Sequence, residues 1–79
     1  MIIEIENTVT GEITEQPYSL AVGLAMHAYF NENYTDMVRY INSYRRFNVG
    51  CRVIISYLGV RDLYIFEKTV EGIGVTHIE

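Results

Sequence analysis

Residues 20–30, Leu-Ala-Val-Gly-Leu-Ala-Met-His-Ala-Tyr-Phe, form an 11-residue stretch in which His27 is the one polar side chain. That is well short of the ~20 apolar residues a membrane-spanning helix needs, so the stretch must find its cover within a folded domain. Helical spacing sets Ala21, Ala25 and Ala28 on a side that permits close approach, and Val22, Met26 and Phe30 on a bulkier side. A helix without a polar face must be covered all round. In a chain of 79 residues that condition is severe, because a domain of this size buries only about 60% of the surface its unfolded chain exposes.

The flanking sequence predicts what could do the covering. Residues 2–6, Ile-Ile-Glu-Ile-Glu, are β-rich, and Thr10-Gly11 leads into a short returning strand over 12–15, a hairpin pattern. Pro17 ends it, and Ser19 is placed to cap the apolar helix. Asn31-Glu32-Asn33 stops that helix, and Thr35 is expected to cap a second one running to Phe47 or Asn48. Asp36 would then face its positive end and Arg45 and Arg46 its negative end, with Met37, Ile41, Tyr44 and Phe47 as the buried stripe. Gly50 opens a β-branched run over 51–58, Gly59-Val60-Arg61-Asp62 forms a turn, and a strand follows over 63–70. Residues 71–79 form an optional last edge strand. No linker or repeat divides the chain, so the reading is one α+β domain over residues 1–79: β-β-α-α-β-β, two helices and a small antiparallel sheet of four to five strands.

The 51–70 hairpin repeats the covering problem. Val53, Ile55, Tyr57, Tyr64 and Phe66 fall on one face, and Ile54, Leu58, Leu63 and Ile65 on the other, broken by Arg52, Ser56 and Glu67. Two apolar faces in so small a chain predict a homodimer, with Ile54, Leu58, Leu63 and Ile65, or the first helix, at its interface.

Charge is segregated along the chain. Residues 1–38 hold six acidic side chains and no basic one, residues 39–61 five arginines and no acid, and residues 62–79 four acids against one lysine, for a net charge of -4. Arg39, Arg45, Arg46 and Arg52, interleaved with Tyr40, Tyr44 and Phe47, are the candidate nucleic-acid contacts, since arginine beside aromatic rings can grip phosphates and stack on bases. A solvated face that complements the helix end is the stronger reading of them, and the acidic balance disfavours nucleic acid as partner. The acidic side chains Glu12, Glu15, Glu32 and Asp36, with Tyr34, are the candidate contacts to a basic protein groove. Seven tyrosines suit that role, because tyrosine supplies large contact area at low entropic cost.

Catalytic material is thin. His27, His77 and Cys51 show no Cys-x-x-Cys or His-x-x-x-His spacing, so no metal, cofactor or nucleophile-base pair is expected and the chain reads as a non-enzyme. Cys51 alone cannot form an internal disulfide, and Glu4 and Glu6 stand where a secretory signal is basic. Both point to the cytoplasm, which makes the sequon Asn33-Tyr34-Thr35 a chance match. In size, acidity, lone cysteine and lack of catalytic residues the chain resembles the small acidic inhibitors that phages make against host or CRISPR nucleoprotein machinery. The resemblance implies a phage-encoded, protein-binding regulator that occupies the basic nucleic-acid-binding site of a larger protein. A self-associating structural subunit is the alternative, and a nucleic-acid-binding module using the arginines is a second.

Overall fold

Alternation of apolar and polar side chains, together with three hairpin turns, builds the sheet seen in the computed structural model, which describes all 79 residues. β1 (Ile2–Asn7) turns into β2 (Ile13–Gln16), α1 (Leu20–Phe30) and α2 (Tyr34–Asn42) follow, and β3 (Cys51–Ser56), β4 (Leu63–Thr69) and β5 (Gly72–Ile78) complete the chain. Every pairing is antiparallel, and the strands lie in the order β2-β1-β3-β4-β5. The expected α+β domain is therefore present, with the tail as a full fifth strand. The first turn is held by the Asn7 side chain, whose Oδ1 accepts from the amides of Val9 and Thr10 at 2.9 and 3.1 Å. The last turn passes through Gly72 at φ +139°, a conformation that side chains rarely adopt.

Both helices lie on one face of the sheet. The core between the layers consists of Ile3, Val53, Ile55, Tyr64 and Phe66 from the strands, Val22, Ala25, Met26 and Ala28 from α1, Met37 and Ile41 from α2, and Phe47 from the segment beyond. The alternation that predicted Val53, Ile55, Tyr64 and Phe66 on one face is realised in the register, where Val53 faces Phe66 and Ile55 faces Tyr64.

Four expectations are corrected. α1 is not covered all round: Leu20, Leu24 and Phe30 are 66%, 37% and 54% exposed. With two layers only, α2 and the sheet embrace the arc of Val22, Ala25, Met26 and Ala28 and leave the opposite arc to solvent. Ser19 stands at the N-terminus of α1 in extended conformation, but its side chain makes no capping bond. α2 is capped by Asn33 rather than Thr35: Asn33 Oδ1 accepts from the Asp36 amide at 3.2 Å, and its Nδ2 donates to Asp36 Oδ2 at 2.8 Å. α2 also ends at Asn42, before Arg45 and Arg46. The Ser43 hydroxyl donates to the Tyr40 carbonyl at 2.7 Å, a local bond that competes with helix continuation. Phe47 still reaches the core, by way of a turn in which its amide donates to the Tyr44 carbonyl.

Candidate functional site

The helices leave the other face of the sheet bare, and the register fixes what it displays. One row across the strands reads Ile2, Ser56, Leu63, Ile78; the next Glu15, Glu4, Ile54, Ile65, Thr76; the third Ile13, Glu6, Arg52, Glu67, Gly74. Ile2, Ile54, Leu63, Ile65 and Ile78 thus make an apolar area toward β4 and β5, with Glu4, Glu6 and Glu15 gathered on β1 and β2 beside it. Arg52 is the one basic side chain on the face, 3.4 Å from both Glu6 and Glu67. The segregated charges of the sequence therefore interleave here, because β3 inserts Arg52 between strands from the two acidic ends.

The structure brings Ile54, Leu63 and Ile65 together as expected, but not Leu58. β3 stops at Ser56, and Leu58 stands in the loop over residues 57–62, 92% exposed. The acidic set is divided. Glu15 lies on the open face beside Glu4, while Glu12 sits in the first hairpin's turn, its carbonyl accepting from the Asn7 amide. Glu32, Tyr34 and Asp36 belong to the α1–α2 corner, where Tyr34 meets Tyr29 and Tyr29 meets Tyr64. Glu4 and Glu6, which the alternation of residues 3–6 already placed on one side of a strand, complete the acidic group on the face.

The arginines do not form a stripe. Arg39 is on α2, ion-paired with Asp36 at 3.0 Å, and Arg52 is on the open sheet face. Arg45 and Arg46 follow α2 and, with Tyr18, Ser19, Ser43 and Tyr44, line a shallow groove of about 350 Å³ beside β2. Burial pushes the Tyr44 phenol above its ordinary pKa, and the Arg46 guanidinium partly offsets that shift.

A second cluster lies on the helix-side face where β5 ends. The His77 ring stacks on Tyr64 with centroids 4.4 Å apart and planes 13° from parallel, and its Nε2 is 3.1 Å from Asp62 Oδ1. Asp62, His77 and Glu79 bring one nitrogen and two carboxylate oxygens within 4.8 Å of one another. Burial, followed by the neighbouring Asp62, Tyr29 and Glu79, pushes the Tyr64 phenol up in pKa. Local spacing gave no sign of this group, but the hairpin does: with Thr69 opposite Gly72, Tyr64 falls opposite His77 and the next step on that face reaches Asp62 and Glu79. His27, by contrast, is exposed on α1 beside Asn31 and joins no such group.

The chain matches no family model, no curated protein and no solved structure. No helix is long and apolar enough to cross a membrane.

Proposed function

We propose that the chain is a non-enzymatic protein-binding regulator that docks through the open face of its sheet onto a basic, partly apolar surface of a larger protein, as an inhibitor occupying a nucleic-acid-binding site would. The observation that carries this reading is the juxtaposition of Glu4, Glu6 and Glu15 with Ile54, Leu63 and Ile65 on one continuous surface. An apolar area supplies the desolvation that holds a complex, and the flanking carboxylates supply steering and selection. Four carboxylates against one arginine favour a basic partner over a second copy, since stacking two such faces would oppose like charges.

The test is capture of partners from the lysate of the source or its host, with and without nuclease, comparing the wild-type chain with Glu4→Lys/Glu15→Lys. A single stoichiometric protein that survives nuclease and is lost with the double variant, while circular dichroism shows the fold intact, supports the reading. Undiminished capture by the double variant would sink the site, and capture that vanishes with nuclease would shift the assignment to nucleic acid.

A specific observation favours self-association as a second reading. The solvent side of α1 presents the apolar side chains Leu20 and Leu24 together with the exposed His27, Tyr18 and Phe30 are exposed near its two ends, and the helix holds no aspartate, glutamate, lysine or arginine. A largely apolar ridge of this kind, without acidic residues, lysine or arginine, suits a second copy of the same chain.

A further inference from the structure

We infer that Asp62, His77 and Glu79 form a binding site for a divalent transition metal, zinc being the best fit, which ties the end of β5 to the loop before β4. The inference is independent of the protein-docking reading.

Zinc takes imidazole and carboxylate ligands at about 2.0–2.1 Å, which at a tetrahedral angle puts neighbouring ligand atoms about 3.3 Å apart. His77 Nε2 and Asp62 Oδ1 already stand at 3.1 Å, and all three donor atoms lie within 4.8 Å of one another. Glu79 is exposed, so a change of side-chain rotamer can bring its carboxylate the remaining way. The imidazole is the ligand hardest to orient, and stacking on the buried Tyr64 ring holds its plane. Less ordering is then left to be done on binding.

Charge points the same way. Neither Asp62 nor Glu79 is paired with a lysine or arginine; the molecule's arginine ion pairs lie at Asp36, Glu6 and Glu67. Two neighbouring carboxylates around a single imidazole therefore lack a full counter-charge, which a divalent ion supplies. The nitrogen ligand selects against calcium and magnesium, which prefer oxygen throughout. Three protein ligands leave a fourth position to water, but none of the grooves on the surface is lined by these residues. The site offers no substrate cleft, and its role is to close the free end of the β4–β5 hairpin, whose outer strand is an edge.

Titration calorimetry of the full chain with zinc chloride, after chelator treatment, tests the site. The expected result is one zinc per chain. Removing an outer-shell partner of a metal ligand already costs about 10–100-fold in affinity, so His77→Ala and Asp62→Asn should each weaken binding at least about tenfold, while His27→Ala leaves it unchanged. Cobalt substituted at the site should show the visible bands of a four-coordinate ion in the wild type and lose them in Asp62→Asn, a variant that keeps the His77 stack. Three results would overturn the inference: no binding, wild-type affinity in the His77→Ala and Asp62→Asn variants, or binding that occurs only with doubling of the mass.

Discussion

Tyr44 shows how a single side chain couples the fold to pH. Its phenol, half-buried against the core beside Arg46, is held above the ordinary tyrosine pKa by burial. The native state therefore keeps this proton more tightly than the unfolded chain does. The resulting stability is fully present below about pH 10, the unfolded value, and is lost as pH rises through the raised native value. Tyr44→Phe removes the ionisable group and keeps the ring, so its unfolding midpoint should fall less steeply than that of the wild type above about pH 10. Tyr57 and Tyr64 are shifted in the same direction, so part of the alkaline loss remains in the variant. Identical midpoints for variant and wild type across that range would show that Tyr44 ionises equally in both states. Residue identity was legible here only in part. Tyr44 was readable as a member of the buried stripe, but its neighbour Arg46 was expected on a helix that ends at Asn42.

Elements were legible where a pattern repeats and obscure where two local signals compete. Alternation in residues 51–56 and 63–69 predicted which side chains of β3 and β4 share a face, because period two fixes the two sets once the turn is placed, but with both sets apolar it did not say which one enters the core. The start of α2 was ambiguous, since Asn33 and Thr35 are both good caps. Asn33 prevails because Asp36 lies three residues on, where its amide and carboxylate can both bond the asparagine side chain. The two positions should accordingly differ on truncation. Asn33→Ala should cost about 1 kcal/mol, the usual loss of an N-cap, whereas Thr35→Ala, exposed inside the first turn, should stay within about 0.5 kcal/mol of wild type. Urea unfolding of the two variants measures this directly. A larger loss at Thr35 would mean that the cap in solution is the one residue spacing first suggested.

At the scale of the whole molecule, the sheet order was the least legible feature, because β1 reaches β3 across the entire helical segment and no local signal encodes that pairing. The order decides both candidate surfaces: it inserts Arg52 between Glu6 and Glu67, and it aligns Glu4 with Ile54 and Ile65. It also leaves two uncovered outer surfaces of different character on opposite layers. The sheet face carries Glu4, Glu6, Glu15 and Glu67 against Arg52, whereas α1 exposes Leu20 and Leu24 beside His27, with no acidic residue, lysine or arginine in the helix. Salt separates their roles, since screening weakens attraction between unlike charges and relieves repulsion between like ones, over a Debye length that falls from about 10 Å at 0.1 M to about 3 Å at 1 M. Copies that associate through α1 should therefore show a mass in sedimentation equilibrium that rises with protein concentration and changes little between those salt conditions. Leu24→Glu, which puts a charge into the ridge, should return the mass to that of one chain. If association instead strengthens steeply with salt and is abolished by Ile65→Arg but not by Leu24→Glu, the open sheet face is the contact between copies. A basic partner would then have to compete with the chain's own second copy for the same surface.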